Sequence, residues 1–285
     1  MNSDFRPRVG FIGAGRVGTT LGKYFHDHNT DVAGYYSRSE ESARASAIFT
    51  DTACYSSIAE LTYDCNMLFI TVPDGLIESV WNEVSKYDIN GKCICHCSGA
   101  LSSSVFNNIT GHGAFGYSIH PLCAVSSKEN SYKNFSDVFF AVEGSDEYRD
   151  KIIDWLRDMG NPVSGIASDK KVMYHAAAVF ASNLGVALYN MAAGILADCG
   201  IEADTAGKAL SGLYLSNCQN IVRQGPVKAL TGPVDRNDIT TINKHMETLD
   251  GDTLEVYKLL STELIKVAAL KNPDTDYSEL IQILK

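Results

Sequence analysis

The sequence lacks any excess of positive charge. Its 24 Lys and Arg residues face 34 Asp and Glu residues, which gives a formal net charge of −10 over 285 residues. A surface that binds nucleic acid needs a basic excess, so we expect no nucleic-acid partner, although a local site for one phosphate group is compatible with this charge. With 45% hydrophobic and 20% charged residues, the composition is that of a globular protein.

A cleavable apolar segment is also missing, because the polar first residues lead directly into a strand pattern. We therefore expect a cytoplasmic protein whose eight cysteines are free thiols. Cys93, Cys95 and Cys97 alternate along a predicted strand, which places them on one face and His96 on the other. This arrangement suits buried small hydrophobic side chains better than zinc, and we predict no metal site.

Charge is absent from residues 172–197, a stretch long enough to span a bilayer. It is richer in Ala and Gly than in Leu and Ile, and it contains His175, Ser182 and Asn183. We interpret it as a helix buried within a helical domain and predict no membrane association. The alternative, a membrane anchor, would show as detergent-dependent solubility.

Short apolar runs alternate with helical patterns through the first half of the chain. The apolar runs are Val9–Ile12, Val32–Tyr36, Met67–Val72, Cys93–Cys97, Phe115–Ile119, Asp137–Val142 and Pro162–Ile166. This alternation predicts βαβ units and a mainly parallel sheet. After Ser168 only helical patterns occur, at Lys170–Cys199, Asp204–Gln224 and Thr253–Leu270. We therefore predict an α/β domain over residues 1–167 and an all-helical domain over residues 168–285.

A glycine-rich turn follows the first predicted strand. Gly13, Gly15 and Gly18 form the pattern GxGxxG, between an apolar strand and an amphipathic helix. In this context the pattern predicts a dinucleotide-binding Rossmann domain with a doubly wound parallel sheet. The phosphates would lie against the backbone of residues 13–18, that is Gly13, Ala14, Gly15, Arg16, Val17 and Gly18, at the positive end of the helix. The alternative is a tight turn without a ligand.

The end of the second strand favours NADP(H) over NAD(H). NAD-specific sites usually place an acidic residue there, whereas this chain has Ser37, Arg38 and Ser39 and no acid before Glu40. Arg38 can bind a 2′-phosphate through two N–H groups, and the two serines can donate hydrogen bonds. The alternative is that Arg38 is an ordinary surface residue.

Residues at three further strand ends are candidates for binding the nicotinamide or the substrate. We assign cofactor binding to Val72 and Pro73 after one strand and to Ser98 and Gly99 after the next. His120 follows a third strand and is a candidate for substrate binding. Ligands of open α/β sheets gather at these carboxyl ends, although each residue singly would also fit an ordinary loop.

The first helix of the second half carries the candidate catalytic residues. Lys171 and His175 are four residues apart and so share one face, which Asn183 continues. These groups could exchange a proton beside a hydride acceptor. The alternative is a solvated Lys171 and satisfied core side chains at His175 and Asn183.

A polar segment between later helices, Thr231–Asp238, is rich in turn-forming residues. Arg236 and Asp238 are candidates for substrate binding. Equally, they would form a structural ion pair that orders the loop.

Together these motifs resemble Rossmann-like proteins with a C-terminal helical domain of unknown function, a group described as NADP oxidoreductases. GAGRVG, YYSRS, TVPD, CSGA, HPL, KKVMYHAAAVFASN and TGPVDRND occur in the expected order over essentially the whole chain. In the last motif Asn237 replaces the Gly that the family favours, and Asn adopts some of the backbone conformations open to Gly only at a cost.

More distantly, the chain resembles the 6-phosphogluconate dehydrogenase superfamily, which includes pyrroline-5-carboxylate reductase and ketopantoate reductase. Lys171 matches the Lys that opens the second domain in its β-hydroxyacid and ketopantoate enzymes, but His175 stands where those enzymes have Asn. The resemblance implies a homodimer formed through the helical domain.

The sequence thus predicts an NADP(H)-dependent oxidoreductase that transfers hydride between the nicotinamide and a small carbonyl or imine in an inter-domain cleft. The alternative is a non-catalytic NADP(H)-binding protein that reports redox state. An open pocket faced by Lys171 and His175 would favour the enzyme.

Overall fold

The computed structural model describes residues 5–285, which fall into two compact units. The first extends to Phe180, and the second is Ala181–Lys285. This division lies beyond residue 167, where the sequence pattern changes. The reason is that Lys171, the first residue of a helix, is buried in the first unit.

An eight-stranded sheet forms the centre of the first unit. Its strands are β1 Arg8–Ile12, β2 Asp31–Tyr36, β3 Ala53–Cys54, β4 Met67–Ile70, β5 Cys93–His96, β6 Phe115–Pro121, β7 Phe140–Gly144 and β8 Val163–Gly165. The strand order is β3-β2-β1-β4-β5-β6-β7-β8, and every pair is parallel except β6 with β7. The predicted α/β fold is confirmed, whereas β3 and the antiparallel pair were not predicted.

Helices connect these strands. They are α1 Arg16–Asp27, α2 Glu40–Thr50, α3 Ile58–Asp64, α4 Asp74–Val84 and α5 Asp146–Asp158, with 3-10 helices at Ser103–Val105, Ile109–His112, Ser131–Asp137 and Ser168–Lys170. The two short 3-10 helices between β5 and β6 are separate because Asn108, which lies between them, has a left-handed backbone with φ of 57°.

Two hydrophobic cores lie on opposite faces of the sheet. Phe11 and Phe69 belong to one core, and their strand neighbours Ile12 and Ile70 belong to the other, as the two-residue period of a strand requires. The three alternating cysteines, Cys93, Cys95 and Cys97, all contact the first core, which confirms their predicted common face.

From Lys171 onward the chain is helical. The helices are α6 Lys171–Ala181, α7 Asn183–Asp198, α8 Ala203–Ala229, α9 Ile239–Thr248, α10 Gly251–Lys271 and α11 Ser278–Ile283. The prediction of one continuous helix over Lys170–Cys199 is wrong, because Ser182 has non-helical angles (φ −121°, ψ −72°). Helix α8 is interrupted at Gly225, just before Pro226.

The expectation that residues 172–197 are buried is also wrong. Helix α7 has no buried residue, and Val186 is 72% exposed. The core of the second unit lies instead among α9, α10, α11 and the preceding loop, at Val234, Ile242, Ile265, Ala268, Tyr277, Leu280 and Leu284. By length and composition alone, the stretch Ser168–Asp198 is apolar enough to cross a membrane, and none of its most apolar window is buried.

Candidate functional site

The glycine-rich turn has the geometry of a dinucleotide-binding turn. Gly13 has φ of 109°, a conformation that side chains disfavour, and its N–H donates to the Tyr36 carbonyl at 2.8 Å. A Cβ at Gly18 would overlap the Gly13 carbonyl and Thr71 Oγ1, so only glycine allows α1 to begin this close to the strand end. At Gly15, by contrast, a Cβ would meet nothing closer than 4.0 Å, which leaves space beside the turn.

The end of β2 presents an unpaired guanidinium. Among the described residues, Arg38 is exposed and has no hydrogen bond or ion pair. The nearest acid in sequence, Glu40, is paired with Arg44 at 2.7 Å. Ser39 accepts a hydrogen bond from the Ser42 N–H and so caps α2. Arg38 is therefore available for an anion, and Ser39 is already engaged in the helix cap.

A cavity of about 590 Å³ runs along the carboxyl ends of the central strands. Its walls are Gly15–Val17 at the glycine turn, Thr71–Asp74 after β4, and His120–Pro121 with Cys123–Ser126 at and after β6. Three predicted groups thus meet in one cavity: the turn, Val72 with Pro73, and His120. This volume is in the range of sites for small molecules and cofactors.

Ser98 links the cavity wall to the loop after β5. Its Oγ donates to Asp74 Oδ2 at 2.6 Å and accepts hydrogen bonds from the Ala100 and Leu101 N–H groups. Ser98 therefore fixes both the loop and an acidic side chain of the cavity. The sequence did not single out Asp74, although it follows Val72-Pro73 directly.

Lys171 is buried beneath these strand ends, contrary to the alternative of a solvated lysine. Its ammonium donates to the Ser98 carbonyl at 2.9 Å and to Ser118 Oγ at 2.7 Å. Burial lowers the pKa of Lys171 to about 8, while the charge of Glu143 opposes the shift. Such a group is present in both protonation states near neutral pH, as a proton donor or acceptor requires.

Two imidazoles meet over Gly99. A Cβ at Gly99 would lie 2.7 Å from His175 Nδ1 and 3.0 Å from His120 Nε2, so glycine alone leaves room for both rings. His175 Nδ1 is buried and has no hydrogen-bond partner within residues 5–285. Burial, followed by the charge of Lys171, lowers the pKa of His120 to about 3, so its ring is neutral at pH 7.

Tyr174 connects the histidine to the lysine. Its Oη lies 2.8 Å from His120 Nδ1, and Lys171 Nζ lies 5.7 Å from the centre of its ring. Of the described residues, His120 lines the cavity but neither Lys171 nor His175 does. The sequence analysis did not single out Tyr174, although it lies in the KKVMYHAAAVFASN motif, and it missed Ser118 and Glu143, which no local motif marks.

The remaining candidates lie in the helical unit. Asn183 begins α7 and accepts a hydrogen bond from Ser182 Oγ at 3.0 Å. Asp238 caps α9 by accepting from the Thr241 N–H at 3.0 Å and from Thr241 Oγ1 at 2.7 Å, and these bonds hold its pKa below the usual value. The alternative of an Arg236–Asp238 ion pair is wrong, since no such pair occurs in the described chain.

The loop before α9 is ordered instead by Asp235. Asp235 accepts a hydrogen bond from Lys271 Nζ at 2.9 Å and from Asn272 Nδ2 at 3.1 Å. Asn237 has φ of 53°, the left-handed conformation that explains why glycine suits this position in the family.

Comparison with known families supports the sequence resemblance. Residues 2–121 match the Rossmann-like domain, and residues 138–264 match DUF2520, a domain of unknown function. No curated protein matches the chain.

Solved structures show the same architecture. Protein TM1727 of Thermotoga maritima is 26% identical with a TM-score of 0.73, covering 92% of this chain and 99% of its own. BF3122 of Bacteroides fragilis, an NADP oxidoreductase by provisional assignment, is 24% identical with a TM-score of 0.68 and coverages of 91% and 98%. Pyrroline carboxylate reductase of Plasmodium falciparum, solved with NADP bound, is 14% identical with a TM-score of 0.60 and coverages of 93% and 96%. The chain is therefore a Rossmann-like protein with a C-terminal DUF2520 domain, as the sequence resemblance implies.

Proposed function

We propose that the protein is an NADP(H)-dependent oxidoreductase that reduces a small carbonyl or imine. The observation that carries the proposal is the cavity that joins the glycine turn at Gly15 to His120, beside a buried lysine, Lys171. Bound NADPH would supply the hydride for the carbonyl or imine carbon and would leave as NADP⁺. The protein would supply the proton that the oxygen or nitrogen needs.

The residues at the turn fit a dinucleotide. The open space beside Gly15 and the backbone N–H groups that begin α1 are suited to its diphosphate. The free Arg38 guanidinium, with Ser37 and Ser39 beside it, is suited to a 2′-phosphate, since its planar N–H groups match phosphate oxygens. Val72 and Pro73 would face the nicotinamide at the end of β4, and Ser98 and Gly99 would support it from β5.

On the substrate side, His120 would contact the reacting oxygen or nitrogen from the cavity wall. Its neutral ring can donate one hydrogen bond without carrying charge. Lys171 or His175 would supply the proton. Tyr174 contacts both Lys171, through its ring, and His120, through its hydroxyl group. Asn183 stays a prediction as a further catalytic residue, and Arg236 and Asp238 stay predictions as substrate-binding residues.

The cavity meets the criterion for the enzyme in part: it is open, but the imidazole that lines it belongs to His120, and neither Lys171 nor His175 lines it. A protein that only reports the redox state of its cofactor needs no free volume beside the nicotinamide. Here the space of about 590 Å³ extends past Val72 and Pro73 to an imidazole. The cavity therefore continues beyond the glycine turn to a polar side chain that a substrate could contact.

The test begins with binding. NADPH and NADH are titrated separately against the protein, with nicotinamide fluorescence as the readout, and NADPH is expected to bind more tightly. Arg38→Ala is expected to weaken NADPH binding by roughly 10- to 100-fold and to leave NADH unchanged, because a hydrogen bond to a charged group contributes about 1.5–3 kcal/mol. Equal affinities for both cofactors in the unmodified protein would contradict the NADP assignment.

Turnover is tested with a panel of small carbonyl compounds and imines, followed by the loss of NADPH absorbance. Reduction of at least one compound is expected. Tight NADPH binding without turnover of any compound would favour the sensor.

We also propose that a second copy of the chain covers the apolar faces of the helical unit. Large hydrophobic side chains are exposed there, for example Val186 on α7 and Leu213 and Val222 on α8, the last 88% exposed. A membrane is the weaker candidate for this surface, because α6 and α7 have only 11 and 16 residues and are separated at Ser182. A spanning helix needs about 20. With eight free cysteines, such a homodimer is suited to the cytoplasm.

Light scattering after size exclusion tests the homodimer. The expected mass is twice the 31.0 kDa of one chain. Val222→Asp is expected to shift the protein to the monomer, while Tyr63→Asp, at an exposed site of α3, is the control that leaves the mass unchanged. A monomeric unmodified protein would contradict the proposal, and dependence on detergent would point to a membrane instead.

A further inference from the structure

A lysine from a distant part of the chain lies on the glycine-rich turn. Lys128 Nζ donates a hydrogen bond to the Ala14 carbonyl at 2.7 Å, across 114 residues of sequence. Ala14 is the residue between the first two glycines of the turn. Lys128 therefore brings a positive charge to the place where the turn would receive the phosphates of a dinucleotide.

The segment that carries Lys128 forms one side of the same cavity. Ala124, Val125 and Ser126 line the same cavity as Gly15 and Arg16 of the turn. The chain thus runs from β6 along the cavity, and Lys128 comes two residues after Ser126, the last lining residue of this segment. A group bound against the turn would lie between α1 and this segment.

The segment is anchored at its far end. The Ser127 N–H donates to Ser131 Oγ at 3.2 Å, at the start of the 3-10 helix Ser131–Asp137. In that helix Phe135 is 1% exposed and packs on Tyr24 of α1, with ring centres 5.3 Å apart. Asn161 Nδ2 donates to the Phe135 carbonyl at 2.7 Å. These contacts hold the segment against α1 without involving the lysine.

No carboxylate neutralises Lys128 in the part of the chain that the structure describes. Its sequence neighbour Glu129 accepts instead from Ser127 Oγ at 2.9 Å. The first turn of α1 contains no acidic residue either. An ammonium whose partner is a carbonyl keeps its positive charge uncompensated, and a phosphate group would be a stronger partner for it than the carbonyl.

We propose that Lys128 binds the diphosphate of the dinucleotide and that residues 123–128 close over it as a strap. This inference rests on the cofactor assignment in the proposed function and adds a second binding element to the glycine turn. The diphosphate is common to NADP(H) and NAD(H), so Lys128 would contribute to affinity for both. Arg38 would act only on the 2′-phosphate.

Lys128→Met tests the proposal, with Lys133→Met as the matched control. Lys133 lies in the following 3-10 helix, and its ammonium donates a hydrogen bond to the Asn130 side chain at 2.9 Å. In fluorescence titrations, Lys128→Met is expected to raise the Kd of both NADPH and NADH about 10-fold or more, while Lys133→Met changes neither by more than about twofold. Lys128→Arg should recover part of the affinity, since it retains the charge.

Salt dependence and urea unfolding complete the experiment. Loss of one phosphate contact should reduce the dependence of NADPH affinity on salt concentration in Lys128→Met. If Lys128→Met kept its affinity for both cofactors and had a lower urea midpoint, the proposal would be overturned, and the role of Lys128 would be to stabilise the fold. If the unmodified protein bound neither NADPH nor NADH, the cofactor assignment itself would fail, and the role of Lys128 with it.

Discussion

Tyr174 Oη lies 2.8 Å from Nδ1 of His120, and this contact fixes which nitrogen of the imidazole is free to meet a ligand. The ring is neutral because burial lowers the pKa of His120 to about 3. When the tyrosine donates to Nδ1, the N–H of the neutral ring is on Nε2. That nitrogen is the one near Gly99.

Tyr174→Phe is expected to lower kcat for the reduction about 10-fold and to leave the Kd of NADPH unchanged. The variant keeps the aromatic ring but removes the group that orients His120. Steady-state kinetics with a substrate from the panel measure the effect, and Tyr63→Phe, at an exposed position, is the control. An unaltered kcat would remove Tyr174 from the mechanism.

Lys171 should determine the alkaline limb of the pH profile. Reduction needs the protonated form, so with a pKa of about 8 the rate should be constant below pH 7 and should fall above pH 8 by about tenfold per unit. Lys171→Met should lower kcat by about 10²–10⁴-fold and abolish this limb. The matched control is Lys170→Met, because Lys170 is exposed and, within residues 5–285, its ion-pair partner is Asp169 alone. If the limb persists in Lys171→Met, the proton comes from another group.

Gly18→Ala is expected to weaken cofactor binding strongly and to destabilise the first unit. The new methyl group would overlap the Gly13 carbonyl and Thr71 Oγ1, and forcing such an overlap in a packed region typically costs about 1–3 kcal/mol. Gly75→Ala in α4 is the control, since a Cβ there meets nothing within 4 Å. Urea unfolding and NADPH titration are the measurements. Equal midpoints and affinities in the two variants would contradict the assigned role of Gly18.

Buried histidines should make the protein acid-sensitive. Burial lowers the pKa of His96 to about 4 and that of His120 to about 3, whereas an unfolded chain binds the same protons near pH 6.5. The unfolded state therefore binds more protons, and the free energy of unfolding should fall as the pH drops below 6.5. The slope is about 1.4 kcal/mol per pH unit for each imidazole until its folded pKa is reached.

Urea titrations between pH 7 and pH 5 measure this slope. His120→Asn should make it shallower by roughly one imidazole's contribution. An identical slope in the variant and the unmodified protein would show that His120 is protonated in both states or in neither.

Local sequence determined most of the first unit. The alternation of apolar runs with helical patterns specifies parallel strands joined by helices, because apolar residues recur at a different spacing in a strand than in a helix. The glycine turn at Gly13 and Gly18 was also recognisable from local sequence, because its glycines lie close together directly after a strand. The common face of Cys93 and Cys95 likewise follows from the two-residue period of a strand.

Tertiary structure decided how the candidate residues are used. Lys171 is buried because Ser98 and Ser118, 73 and 53 residues away in sequence, accept its hydrogen bonds at adjacent strand ends. Lys128 reaches Ala14 only because the segment after β6 passes over the turn. The length and apolar composition of α7 could not show that it is exposed, because burial depends on which other elements cover a helix. Sequence periodicity is a property of one element, whereas burial, pKa and hydrogen bonding at this site depend on groups that the sheet order brings together.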